Sequence, residues 1–131
     1  MTTPFWVLLV TALIPYVLAG IGAAQRKSQL GTIDNSNWRA NQLPQLTGLG
    51  SRAYSAQANT WEAVAMFTAA VTVNHLAGAD PGPSAVAALV FLGARVAHTL
   101  LYLADQATMR TLAFLIGWGS CLWLFALAIQ A

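Results

Sequence analysis

Hydrophobic residues fall into four long blocks along the chain, separated by polar segments of unequal length. Each block has roughly the 20 residues that an α-helix needs to cross the hydrocarbon core of a bilayer. The predicted helices are residues 4–24, 54–76, 83–103 and 111–131. Because the segments 78–82 and 104–110 are tight turns, the helices that they join are expected to be antiparallel neighbours. The pattern predicts an all-α integral membrane protein with a single domain over residues 1–131, folded as an up-down-up-down four-helix bundle.

The first connection, residues 25–51, is long and polar, and we expect it to cap one end of the bundle. Its helix-breaking residues are Asp34, Asn35, Ser36, Asn37, Asn41 and Pro44. Basic residues flank this connection and Arg110 follows the third one, whereas the second carries only Asp80. The positive-inside rule therefore predicts that the first and third connections are cytoplasmic and that both termini lie outside. The first block lacks a basic leader region, so we expect it to remain attached, as in a multi-pass protein of a bacterial inner membrane.

Composition supports this interpretation and excludes several classes of function. Of the 131 residues, 57% are hydrophobic and 8% are charged, whereas a soluble domain carries about 25% charged residues. The six basic residues form no run, so nucleic-acid binding is not expected. The single cysteine, Cys121, excludes a disulfide within the chain. The two histidines are predicted at opposite helix ends, so no metal site is expected.

Polar side chains inside the second and third predicted helices are the candidate functional residues. An ionised side chain in the bilayer centre costs about 2.5–3.5 kcal/mol, so it normally faces the protein interior or a wet cavity. When each residue turns a helix by about 100°, two sets share a face: Arg52, Asn59 and Glu62 in the second helix, and Arg95, His98, Tyr102 and Asp105 in the third. We therefore expect two polar stripes to face each other near one membrane surface.

Two interpretations of these stripes remain open from the residues alone. In the structural one, Glu62 pairs with Arg95 or Arg52, and polar side chains hydrogen-bond between helices. In the other, the arginines outnumber the carboxylates and require an anion. Guanidinium groups bind a lipid head group or a small carboxylate ligand through paired hydrogen bonds.

Two segments resemble the MAPEG superfamily, the membrane-associated proteins in eicosanoid and glutathione metabolism. Residues 52–62, RAYSAQANTWE, are similar to the family's pattern of an arginine followed by Arg-Ala-His/Gln-x-Asn-x-x-Glu. Residues 94–103, ARVAHTLLYL, are similar to a segment of its glutathione transferases and prostaglandin E synthases. Arg110 falls near the family's catalytic arginine, and the resemblance covers essentially the whole chain. The sequence departs from the pattern at Ser55, where catalytic members usually carry arginine.

The resemblance implies a homotrimer that binds glutathione as cosubstrate between neighbouring subunits, near the cytoplasmic face. Arg110 would be the catalytic residue that holds the thiolate, with Thr111 as an additional hydrogen-bond donor to the sulfur. Implied glutathione-binding residues are Arg26, Arg52, Gln57, Asn59, Glu62, Arg95, His98 and Tyr102. The expected activity is that of a glutathione transferase or peroxidase, acting on lipophilic electrophiles or on lipid hydroperoxides from the membrane.

Two alternative functions belong to other classes. A non-catalytic lipid-binding or scaffold member of the same superfamily is suggested by Ser55, which supplies no charge. A small four-helix multidrug exporter has a similar length and number of spans. Such exporters use a glutamate inside their first helix, however, and the first predicted helix here has no acidic or basic side chain.

Overall fold

The computed structural model describes residues 1–131, and its regular structure is entirely helical. The helices are α1 (Thr3–Leu30), α2 (Trp38–Asn41), α3 (Gly48–Leu76), α4 (Pro81–Leu103) and α5 (Ala107–Ile129), with a 3-10 turn at Leu43–Gln45. Three of them, α1, α4 and α5, are long and apolar enough to cross a membrane. The prediction of an all-α integral membrane protein is therefore confirmed. The prediction of four spans is not confirmed, because the polar residues of α3 lower its hydropathy.

Helix α1 is longer than predicted. It was expected to end at Ala24, but it continues to Leu30, because the residues that follow Ala24 include good helix formers and no helix breaker. It ends where Gly31 adopts a left-handed conformation with a φ of 77°, and the Gly31 N–H donates to the Lys27 carbonyl. The first connection is consequently shorter than the predicted residues 25–51.

The other long helices also begin earlier than predicted. Helix α4 begins at Pro81 because the Asp80 carboxylate accepts a hydrogen bond of 2.8 Å from the Gly82 N–H. A proline in the first turn loses no hydrogen bond there. Helices α3 and α5 begin at Gly48 and Ala107, ahead of the expected residues 54 and 111. Only α4 has a side-chain cap at its start, and the starts of α3 and α5 have none. The apolar blocks therefore mark only the lipid-compatible part of each helix.

The core lies where α1, α3, α4 and α5 meet. Helix α1 packs along α3, α4 packs along α5, and α3 also contacts α4 and α5. At the centre, the rings of Phe67 and Phe91 are stacked with their centroids 3.9 Å apart. The buried core residues are Val7, Phe67, Ala70, Val71, Ala87, Ala88, Phe91, Cys121 and Leu124.

The outer faces of the three candidate spans are apolar. Exposed side chains include Trp6, Leu9, Leu13 and Val17 in α1, Val86, Leu89, Val96 and Leu100 in α4, and Leu112, Leu115, Ile116, Leu122 and Trp123 in α5. Soluble proteins rarely expose apolar surface on this scale. These faces are suited to lipid contact, which agrees with an integral membrane protein.

Arg26 holds the first connection against the bundle. Its side chain is 3% exposed, and it donates to Gln42 Oε1 at 2.8 Å and to Asn35 Oδ1 at 2.7 Å. Its guanidinium also lies 5.0 Å from the ring centroid of Trp38 and within 3.3 Å of the Tyr54 hydroxyl. This arginine therefore organises the end of the bundle at which α1 finishes and α3 begins.

Candidate functional site

Five of the residues predicted for the site meet in one open pocket between α3, α4 and α5. The pocket has a volume of about 270 Å³ and is lined by Asn59, His98, Tyr102, Arg110, Thr111 and Phe114. We call it the Arg110 pocket. It lies at the end of the bundle where Arg52 of α3 donates to the Leu103 carbonyl at the end of α4, 3.1 Å away.

Arg110 is a half-buried cation without an acidic partner. It lies in the first turn of α5, where the helix dipole adds positive potential. Its guanidinium carbon is 4.1 Å from the centroid of the Tyr102 ring, a cation–π contact that fixes the side chain without neutralising its charge. The structure contains a single ion pair, between Arg52 and Asp105 at 3.7 Å, and Arg110 takes no part in it. The pocket is therefore prepared to stabilise an anion beside Arg110.

His98 and Asn59 offer uncharged hydrogen-bonding groups to the same pocket. His98 is 2% exposed, and its buried Nδ1 has no hydrogen-bond partner. Its ring meets that of Tyr102 edge to face, with the centroids 5.5 Å apart. The Asn59 Oδ1 accepts from Arg95 Nη2 at 3.1 Å, which leaves the amide nitrogen to serve a ligand. Polar ligand groups can thus be bound next to the cation.

Thr111 lies in the Arg110 pocket, but its hydroxyl already donates a hydrogen bond within α5. Its Oγ1 donates to the Ala107 carbonyl in the preceding turn of α5, at 3.0 Å. The predicted role as a donor to sulfur requires this hydroxyl to leave Ala107.

Arg95 and Glu62 line a second, more apolar cavity, which we call the Arg95 groove. Its volume is also about 270 Å³, and its lining residues are Glu62, Ala63, Met66, Phe91, Arg95, Phe114, Gly117, Trp118 and Cys121. Phe114 lines both cavities, so they are neighbours. Glu62 is exposed and forms no ion pair, contrary to the interpretation in which it pairs with Arg95 or Arg52.

The remaining predicted residues lie outside both cavities within one chain. Arg26 is engaged by the first connection, and Arg52 by Leu103 and Asp105. Gln57 lines a third pocket, of about 230 Å³, on another side of α3, together with Trp38, Arg39, Leu43, Tyr54, Ala58 and Trp61. Their predicted contacts with glutathione remain predictions.

Phe114 is the one residue of the Arg110 pocket that the sequence pattern did not single out. It follows Arg110 by one helical turn, and residues spaced by four share a helix face. That spacing is the signal that could have identified it.

The comparisons with known proteins identify a family. No curated protein and no solved structure matches the chain. A model of the MAPEG family, in contrast, matches residues 3–130. This match covers nearly the whole chain and includes every residue of the Arg110 pocket and the Arg95 groove. It confirms the resemblance seen at the two polar segments, and the chain therefore belongs to the MAPEG family.

Proposed function

We propose that the protein is a glutathione-dependent membrane transferase or peroxidase that acts on lipophilic electrophiles or lipid hydroperoxides. The observation that carries this proposal is Arg110, an unpaired cation held over Tyr102 in a pocket with three further polar side chains. Membership of the MAPEG family supports it and speaks against the exporter interpretation.

The chemistry begins with the thiol of glutathione. A free thiol has a pKa of about 8.5, and the thiolate is the nucleophile. A cation within a few ångströms lowers such a pKa by about 1–3 units. Bound beside Arg110, glutathione would therefore be largely ionised at neutral pH, with the first turn of α5 adding to the effect.

The same thiolate supports two reactions. With an electrophile, the sulfur forms a bond to carbon while the leaving group departs. With a hydroperoxide, the sulfur attacks the terminal oxygen and the O–O bond breaks. This gives an alcohol and a glutathione sulfenic acid, which a second glutathione converts to the disulfide with loss of water. We assign Asn59, His98 and Tyr102 to the peptide part of glutathione.

Family membership supports a homotrimer, and the exposed face of α3 supports close packing between copies. Small side chains surround Glu62 on one stripe, which consists of Ser55, Ala58, Glu62, Ala65, Ala69 and Thr72. Small residues allow membrane helices to approach closely. If copies pack through this stripe, α3 is shielded from lipid and forms a fourth span despite its lower hydropathy, and glutathione lies at the subunit boundary.

The orientation is proposed from the distribution of charge. The first connection and its flanks carry Arg26, Lys27 and Arg39 at the end of the bundle that also holds the Arg110 pocket. The positive-inside rule places this end in the cytoplasm, where glutathione would enter, and the termini outside. The membrane proposed is a bacterial inner membrane.

Glutathione binding to the purified protein tests the proposal. Calorimetry is expected to show saturable binding that Asn59→Ala weakens by about tenfold, the value of one good hydrogen bond. The matched control is Asn74→Ala on the same helix, because Asn74 Nδ2 donates to the Leu124 carbonyl at 3.0 Å and lines neither cavity. Equal weakening by both substitutions, or no binding by the unaltered protein at millimolar glutathione, would reject the proposed site.

A second candidate is a non-catalytic lipid-binding or scaffold member of the same family. The apolar lining of the Arg95 groove favours it, as does Ser55, which is exposed and uncharged. Turnover of glutathione by the purified protein would exclude this alternative.

A further inference from the structure

Arg95 is a buried cation that the chain does not neutralise. Its side chain is 1% exposed and forms no ion pair. Both of its hydrogen bonds come from Nη2, to Asn59 Oδ1 and Thr60 Oγ1, each at 3.1 Å and each to an uncharged oxygen. Its Nε is buried without any partner. Since a buried donor without a partner is unfavourable, this guanidinium has hydrogen-bonding capacity to spare for a ligand oxygen.

The groove beside Arg95 is suited to an apolar molecule. Its walls include Met66, Phe91 and Phe114, and it has a volume of about 270 Å³. Trp118, another lining residue, is 48% exposed on the outer face of α5. A molecule dissolved in the bilayer can therefore reach the groove from the lipid.

The groove and the Arg110 pocket adjoin each other. Phe114 lines both cavities. In addition, Asn59 of the Arg110 pocket is bonded directly to Arg95, at 3.1 Å. A conjugated molecule in the groove with its oxygen at Arg95 thus lies next to the pocket in which Arg110 would hold the sulfur.

We propose that the Arg95 groove is the subsite for the lipophilic electrophile and that Arg95 activates α,β-unsaturated carbonyl compounds by donating to the carbonyl oxygen. This inference rests on the proposed function, because it takes the attacking thiolate from it. The sulfur forms a bond to the β-carbon, and the π electrons of the C=C bond move toward the carbonyl. The enolate oxygen then accepts hydrogen bonds from Arg95, and the α-carbon takes the proton that the thiol released. A donor aimed at developing charge in a dry site stabilises the transition state more than the ground state.

Two electrophiles compared on the same variant test this role. The probes are a long-chain enone, whose carbonyl gains charge in the reaction, and a benzylic halide, which has no carbonyl to activate. Arg95→Met is expected to lower kcat/KM for the enone about 100-fold more than for the halide. Arg95→Lys, which keeps a donor, is expected to recover part of the difference. A purely structural or glutathione-binding role would lower both reactions equally, and that result would overturn the proposal.

A separate test, which leaves Arg95 unchanged, shows whether the electrophile binds in the groove. A methyl group at Gly117 would lie 3.6 Å from Ala94 Cβ and 3.7 Å from Arg95 Cδ, which are ordinary contacts, so Gly117→Ala fits while narrowing the groove. Gly119→Ala, two positions along α5, meets nothing within 4 Å and is the matched control. We expect Gly117→Ala to raise KM for both electrophiles several-fold with unchanged glutathione binding, and Gly119→Ala to leave both unchanged. Equal behaviour of the two variants would place the electrophile elsewhere.

The outcomes separate this inference from the proposed function. If the unaltered protein neither conjugates these electrophiles to glutathione nor reduces a lipid hydroperoxide with it, both fail. If it reduces the hydroperoxide but conjugates neither electrophile, or if it conjugates both and Arg95→Met does not change their ratio, only the inference about the Arg95 groove fails.

Discussion

Replacing Arg110 with alanine is expected to lower glutathione conjugation by about 30-fold at neutral pH. Without the cation, the pKa of the bound thiol returns toward about 8.5, so that only about 3% of the thiol is ionised at pH 7. The rate of the variant should therefore recover as the pH rises toward that value, whereas the unaltered protein should already be near its plateau. The measurement is kcat as a function of pH with a lipophilic electrophile at saturating glutathione.

Two further variants sharpen this prediction. Arg110→Lys keeps a cation but not the planar group over Tyr102, so it should retain part of the activity. Lys27→Ala removes an exposed cation from the same end of the bundle and should change nothing, because its amine donates only to the Gly31 carbonyl. An Arg110→Ala protein with an unchanged rate and pH profile would show that the assigned catalytic role is wrong.

Gly22→Ala is expected to destabilise the protein by about 1–3 kcal/mol, the usual cost of overpacking. A methyl group at Gly22 would lie 2.6 Å from the Tyr54 ring, closer than carbon atoms approach. The ring cannot move away freely, because it packs on Trp38 at a centroid distance of 4.7 Å and its hydroxyl meets Arg26 at 3.3 Å. Displacing Tyr54 therefore loosens the contacts that hold the first connection.

The matched control for this substitution is Gly20→Ala. Gly20 lies on the same helix, is exposed, and has nothing within 4 Å of an added methyl group. Removing a helical glycine there should be neutral or slightly stabilising. The readouts are the thermal unfolding midpoint in detergent and the rate of proteolysis within residues 31–47. If Gly22→Ala behaves like Gly20→Ala in both, the packing described for Tyr54 is incorrect.

Helical periodicity predicted the part of the site that depends only on helix geometry. Asn59, His98 and Tyr102 do meet, because residues spaced by three and four share a face and the two helices pack together. Arg110 joins them because a tight turn after α4 leaves little freedom in where α5 begins.

Periodicity does not predict the contacts of the arginine side chains, because a long, flexible side chain adopts the conformation that its hydrogen-bond partners determine. Arg26 reaches the first connection, whose path depends on a glycine turn and on contacts that no periodic pattern reports. Arg52 bonds to the carbonyl of Leu103, a backbone group that the sequence does not mark. The structural interpretation pairs Glu62 with Arg95 or Arg52, but Arg95 bonds to neutral oxygens on α3 instead.

The fold was predicted well at the level of apolar blocks and less well at the helix ends. The block at residues 4–24 identified α1, but its end at Leu30 depends on the left-handed Gly31. The block at residues 54–76 predicts a span, although α3 is too polar on average to be identified as one by itself. A helix surrounded by other helices does not need an apolar face on every side, so hydropathy alone does not decide its position.

The most direct test of the account is the ionisation state of glutathione bound to the protein. Ultraviolet difference spectroscopy reports thiolate when glutathione is titrated into the purified protein at neutral pH. We predict a saturable thiolate signal that Arg110→Ala abolishes while glutathione still binds. Glutathione that binds to the unaltered protein as an un-ionised thiol, or a thiolate signal that persists without Arg110, would contradict the central claim.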